Sequence, residues 1–184
     1  EVSDMAGWLD SFSLRDAENE MEIQLNHLQK HDINLMLQKK YGLLQWEQGS
    51  GKTLAGIAVA LYRMEQERIH HTWVVSSAIS IRNNWNVVLA NYGLSYVFVE
   101  RLKDFERIRC GDIVIMTLNA LRKYRKQVKR WIRRYNQKVQ LIVDDSYEIT
   151  NTTGLTPKAC SACVRSCHCK LLTQWTGSKN TISA

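Results

Sequence analysis

Apolar residues recur along the chain in two alternating rhythms. Residues 18–39 place Met21, Leu25, Leu28, Ile33, Leu35 and Met36 at helical spacing, which predicts an opening helix broken near His31. The short run at 42–46 reads as a strand, and after a glycine-rich segment Leu54, Ile57, Ala58, Leu61 and Met64 resume the helical period. The alternation then repeats. A strand at 72–76 precedes a helical stretch over 79–91, a strand at 95–99 precedes a charged connection, and a strand at 112–116 precedes a long helix over 118–135. An apolar run from 139 ends at Asp144 and Asp145, followed by a helix near 157–167 and a strand over 169–175. Such alternation predicts βαβ units: an α/β fold with a mainly parallel central sheet and helices on both faces. There is no internal repeat and no linker, so residues 1–184 read as one domain with an N-terminal extension over 1–17.

Composition narrows this picture only a little. With 45% hydrophobic and 23% charged residues the chain can bury a core, which excludes extended disorder and collagen-like repeats. No apolar run reaches the roughly 18 residues of a membrane span, and the start, EVSDMAGWLDSFSL, lacks the features of an export signal. The expectation is a soluble, intracellular protein with no membrane partner. Four of the five cysteines crowd into 160–169, unlike a secreted disulfide framework, so a reducing compartment is expected. Cys160, Cys163 and Cys167 have a zinc-like CxxC pair, but their spacing is also one face of a helix, and buried packing is the expectation. His27, His70 and His71 have no partner spacing and read as surface residues. The net charge of +7 changes more. Arg122, Lys123, Arg125, Lys126, Lys129, Arg130, Arg133, Arg134 and Lys138 follow one another without an intervening acid, and without them acidic residues would outnumber basic ones. Leu121, Tyr124, Val128, Trp131 and Tyr135 form one apolar stripe of this helix, which leaves the cations on its other faces as a candidate nucleic-acid surface.

Two segments carry phosphate chemistry. Gln48, Gly49, Ser50, Gly51, Lys52 and Thr53 lie between the strand at 42–46 and the helix that Leu54 opens. Glycines let successive backbone N–H groups turn inward to phosphate oxygens at the positive end of the helix; Lys52 reaches the β and γ phosphates, and Thr53 offers its hydroxyl to Mg²⁺. The second segment is the apolar strand ending in Asp144 and Asp145. Asp144 suits orientation of Mg²⁺ through its waters, and Asp145 suits polarisation of the attacking water.

With these motifs in order, the chain resembles the first RecA-like lobe of a superfamily-two helicase, in particular the Swi/Snf-type branch of DNA translocases. Residues 27–32 (HLQKHD) are similar to that branch's adenine-reading motif, with Asp32 at the glutamine position. Residues 42–53 are similar to its phosphate-loop motif, 74–80 with Asn84-Trp85 to motif Ia, 112–118 to motif Ib, 144–151 to the acidic box, and 171–180 to motif III. The resemblance implies ATP and Mg²⁺ as cofactors, and DNA as the nucleic acid. It implies nucleic-acid contacts near Ser76, Ser77, Arg82, Thr117, Arg122, Lys123 and Lys126, and coupling through Thr176, Gly177 and Ser178. It also implies a second RecA-like lobe, in cis or in trans, that supplies arginines for turnover.

The departures from the family pattern fall on functional positions. Asp145 replaces a glutamate one methylene longer, and about 1 Å of misplacement can cost on the order of a hundredfold in rate. Asp32 can only accept hydrogen bonds where glutamine also donates, and Tyr147 replaces a histidine. The sequence begins at Glu1 and stops shortly after motif III, so it is expected to be a piece of a longer translocase or a reduced, divergent homologue of viral or phage type. The leading functional expectation is a nucleic-acid-dependent ATPase. The alternative is a degenerate lobe that binds ATP or DNA without productive hydrolysis.

Overall fold

The structure, a computed structural model, describes residues 2–38, 41–46, 51–135, 138–144, 169–175 and 181–183. The chain opens with α1 (Val2–Ser11) and a hairpin of β1 (Ser13–Asp16) and β2 (Met21–Gln24). Then follow α2 (His27–Leu37), β3 (Tyr41–Trp46), α3 (Lys52–Gln66) and β4 (His71–Ser76). A short α4 (Ala78–Ser80) passes through a π-helical turn (Ile81–Trp85) into α5 (Asn86–Asn91), and β5 (Tyr96–Phe98) and a 3₁₀ turn (Leu102–Arg107) come next. The chain continues through β6 (Ile113–Thr117), α6 (Leu118–Lys123), α7 (Arg125–Arg134), β7 (Val139–Val143), β8 (Cys169–Trp175) and β9 (Thr181–Ser183). Seven strands form one sheet in the order β5-β6-β4-β7-β8-β3-β9, parallel throughout except for β9 against β3.

Every residue of β4 and of β7 is buried, as expected of parallel strands covered on both faces. Successive side chains point to opposite faces, so the sheet divides the interior into two cores. Val74, Ile113, Ile115 and Ile142 join α1, α2, α3 and α5 in one core; Trp73, Val75, Val114, Met116, Leu141 and Val143 join α6 and α7 in the other. This is the three-layer α/β arrangement that the alternating pattern predicts. Among the described residues no helix is long and apolar enough to cross a membrane.

Three expectations need correction. Residues 18–39 are not one helix: β2 occupies 21–24, and α2 runs unbroken through His31. Polar side chains set this boundary. Asp16 accepts from the Asn19 backbone N–H (3.0 Å) and side-chain amide (2.8 Å), closing the hairpin, and from Asn91 Nδ2 (2.9 Å), docking it on α5. These bonds, Asn19's first, hold the Asp16 carboxyl down at a pKa of about 2. Asn26 and Gln29 then form a reciprocal capping box that starts α2, while Met21, Leu28 and Leu35 face solvent. The long helix expected over 118–135 bends at Tyr124 (φ −107°, ψ 23°), whose ring meets Phe105 edge-on at 5.8 Å. Leu9, Phe12 and Leu14 of the N-terminal segment belong to the first core.

The third correction concerns the histidines. His71 is fully buried at the start of β4, 2.8 Å from His70 Nδ1 through its own Nδ1. His70 stacks on Tyr135 at 3.8 Å. Burial, with the neighbouring His70, pushes the His71 pKa down to about 3, and burial lowers that of His70 as well. The unfolded chain takes up a proton at His71 below about pH 6.5, whereas the folded protein does so only near its depressed value. The stability this represents, on the order of a few kcal/mol, is therefore present above about pH 6.5 and lost as pH falls toward 3. Replacing His71→Leu removes that proton uptake, and the acid-unfolding midpoint by circular dichroism is expected to move to lower pH. An unchanged or higher midpoint would refute this account.

Candidate nucleotide site

The site lies at the carboxyl edge of the sheet, where β4, β6 and β7 end side by side: Val75 pairs with Val143, and Ser76 with Thr117. Gly51 is the N-cap of α3 with φ +82° and ψ 28°, a left-handed conformation natural to glycine. A side chain there would also collide with the Gln29 amide. Gln29 is buried on α2; its Oε1 accepts from Asn26 N–H at 2.9 Å and its Nε2 donates to Gly51 O at 3.3 Å. The capping box that starts α2 thus also braces the end of the phosphate-loop segment.

Lys52 and Thr53 open α3, whose first turn contains no acid to oppose an anion. Lys52 Nζ lies 3.2 Å from Asp144 Oδ1. Asp144 itself is fully buried, and four other segments fix it. Its N–H donates to Val75 O (3.0 Å), and its carbonyl accepts from Ser76 Oγ (3.1 Å). Its Oδ2 accepts from Trp85 Nε1 (2.8 Å) and from Ser80 Oγ (3.3 Å). A buried carboxylate survives only if both oxygens are satisfied, and here a cation and two donors do so. Thr53 Oγ1 accepts from Asn84 Nδ2 at 2.9 Å.

Asn84 and Trp85 are adjacent in sequence, yet one reaches Thr53 and the other Asp144. The π-helical turn at Ile81–Trp85 lets a single segment present both, since it advances each residue by less rotation than an α-helix does. Thr53 and Asp144 supply hard oxygen donors of the kind Mg²⁺ takes, and Lys52 supplies the charge a phosphate needs, so the described residues fit a magnesium nucleotide.

The other expected residues divide. Ser76 is a correction: it is buried and its hydroxyl is used on Asp144 O, so it holds the strand end and has no surface to offer nucleic acid. Ser77 and Thr117 are half-buried and cap α4 and α6 through bonds to Ser80 N–H and Ala120 N–H (both 3.2 Å). Arg82, Arg122, Lys123 and Lys126 are exposed, and Arg82 faces Glu100 at 3.8 Å. Leu54 packs its side chain against the first core, and Asp32 is half-buried on α2. Gln48, Gly49, Ser50, Asp145, Thr176, Gly177, Ser178 and the cysteines from 160 to 167 lie outside the described residues. From the sequence, Gln29 figures only within the 27–32 segment, and Ser80, Asn84 and Trp85 only within the motif Ia resemblance, and none of them has an assigned contact in this site.

Trp85→Phe removes the indole donor from Asp144 and is expected to cost about 1–3 kcal/mol in urea unfolding. A Cβ at Gly56 would sit 3.2 Å from the buried Trp85 ring, so Gly56→Ala is expected to destabilise the wild type. In the Trp85→Phe background that crowding is gone, and the same change should stabilise by up to about 1 kcal/mol. Additive effects of the two substitutions would contradict the packing described.

The comparisons agree with this architecture. Two structures of UvsW, a helicase from bacteriophage T4, match over 97% of this chain at 14% identity, with TM-scores of 0.68 and 0.71. The SWI2/SNF2 ATPase core of Sulfolobus solfataricus, solved in complex with dsDNA, matches over 85% at 19% identity with a TM-score of 0.56. The chain spans 60% and 34% of the two UvsW chains and 32% of the SWI2/SNF2 chain. No curated protein matches it. Residues 12–170 match the family model described as "Type III restriction enzyme, res subunit". The chain belongs to that family, and its fold is the RecA-like α/β fold of the helicase structures it matches.

Proposed function

We propose that this lobe binds ATP with Mg²⁺ and hydrolyses it in a nucleic-acid-dependent way, as part of a DNA translocase or remodeller of the Swi/Snf-like type. The observation that carries the reading is the convergence of Lys52, Thr53 and Asp144 at the carboxyl end of the sheet beside the Gly51 N-cap. A chance surface arrangement would not bury Asp144 completely and give each of its oxygens a partner.

In this reading Lys52 would contact the β and γ phosphate oxygens, and Thr53 and Asp144 would hold Mg²⁺, with Trp85 and Ser80 positioning the Asp144 carboxylate. Bound Mg²⁺ would offset charge on the transferring phosphoryl group. The water oxygen bonds to the γ-phosphorus as its bond to the leaving ADP oxygen breaks, Asp145 takes the water's proton, and its short side chain predicts slow turnover. Gln48, Gly49, Ser50 and the Leu54 N–H cradle phosphate, and Asp32 faces the base. Ser77, Arg82, Thr117, Arg122, Lys123 and Lys126 hold the nucleic-acid backbone, and Thr176, Gly177 and Ser178 couple it to the nucleotide. A second lobe, in cis or in trans, supplies the arginines, and the cell interior supplies ATP and DNA. The non-hydrolysing scaffold is the second reading, favoured by Asp145 itself.

The deciding measurement is ATP hydrolysis by the full-length protein with and without DNA. Stimulation by DNA is expected, with a loss of at least about a hundredfold in Lys52→Ala and in Asp144→Ala. ATP binding without hydrolysis would select the scaffold, and equal activity of Lys52→Ala would sink both.

A further inference from the structure

The face of α7 and the cavity at its end point to a nucleic-acid contact away from the nucleotide edge. Val128 and Ile132 are buried and fix how α7 is rotated on the sheet. Arg130, Arg133 and Arg134 then fall on the opposite side, at i, i+3 and i+4, and all three are exposed. None of them forms a salt bridge among the described residues. A helix face stabilised for its own sake would interleave acids; this one is arranged for a polyanion.

The helix also has a direction. Together with α6 it descends from Thr117 at the carboxyl edge to Tyr135 at the amino edge, where Lys138 N–H donates to Tyr135 O and His70 N–H donates to Lys138 O. There a cavity of about 390 Å³ is lined by His70, Trp131, Arg134, Tyr135, Arg109 and the Glu106 side, among others. Its aromatic wall is pre-stacked: His70 on Tyr135 at 3.8 Å and 22°, and Tyr135 on Trp131 at 5.3 Å and 27°. The Arg134 guanidinium lies 5.5 Å and 5.8 Å from the Trp131 and Tyr135 rings, and Arg109 is held by the carbonyls of Glu106 (2.7 Å) and Ile108 (3.1 Å). Flat rings combined with fixed guanidiniums are what unpaired bases bind, whereas an acidic protein segment has no use for the rings.

We propose that α7 and this amino-edge cavity form a second nucleic-acid surface, which takes the phosphates of an unpaired strand along the helix and stacks a base against Trp131 and Tyr135. Together α6 and α7 cover on the order of 25 Å, enough for several phosphates of an unpaired strand. The inference rests on the nucleic-acid-dependent reading above but adds a site that the carboxyl-edge contacts do not include.

The test compares two triple variants of the full-length protein, Arg130→Glu/Arg133→Glu/Arg134→Glu on α7 and Arg82→Glu/Arg122→Glu/Lys123→Glu near the carboxyl edge, without nucleotide. Binding of a labelled oligothymidine of about 16 nucleotides is measured across salt concentrations. The α7 variant is expected to bind at least about tenfold more weakly, with a salt slope shallower by about 2. Oligothymidine should also quench a tryptophan emission that is missing in Trp131→Phe, and a blunt duplex should not. Unchanged affinity of the α7 variant, with loss in the carboxyl-edge variant, would overturn the second surface and leave the proposed function standing. No binding by the unmodified protein would remove both. Polyglutamate competing as well as oligothymidine would assign the surface to an acidic protein partner and overturn the proposal.

Discussion

The carboxylate of Asp144 is the constraint around which the carboxyl edge is organised. An ionised group this buried costs several kcal/mol unless its oxygens are paired, and every pairing comes from a different segment. Lys52 comes from α3, Ser80 from α4 and Trp85 from the π-helical turn, while Val75 and Ser76 of the neighbouring strand β4 hold the Asp144 backbone N–H and carbonyl. Each partner is in place only if the sheet has formed in register and α3 starts at Gly51. The charge that suits the site to a metal and a phosphate therefore also ties four parts of the chain to one geometry.

The two edges of the sheet differ in chemistry for a related reason. At the carboxyl edge helix N-termini and strand ends leave backbone and side-chain donors pointing at one place, the usual location of ligands in open α/β sheets. At the amino edge the chain closes on itself through His70 and Gly111, and aromatic rings cluster around His70 and His71. His71 stays neutral there because charging it would require solvating a ring that the fold has sealed.

Much of this was legible in the chain. The strands β4, β6 and β7 centre on the apolar runs 73–75, 113–116 and 141–143, and buried parallel strands leave that signature whatever their neighbours. The opening segment was misread because Met21, Leu25 and Leu28 fit a helical period by coincidence. The deciding partner of Asp16, Asn91, lies 75 residues away, and no local pattern can reveal it. The bend at Tyr124 was hidden likewise, since Phe105 gives that ring its place. Gln29 lies in the 27–32 segment likened to an adenine-reading motif, and only the tertiary structure shows that it packs under Gly51.

The sequence by itself determined the alternation of strands and helices, the cationic run over 122–138, and the local chemistry of Gly51, Lys52 and Thr53, because each depends on near neighbours. Tertiary structure alone decided which side chains meet. It turned Ser76 inward, delivered Trp85 to Asp144 and Asn84 to Thr53, and buried His71 beneath Tyr135. Those contacts join residues distant in the chain, and their free energy exists only once the parallel sheet has brought its strand ends together.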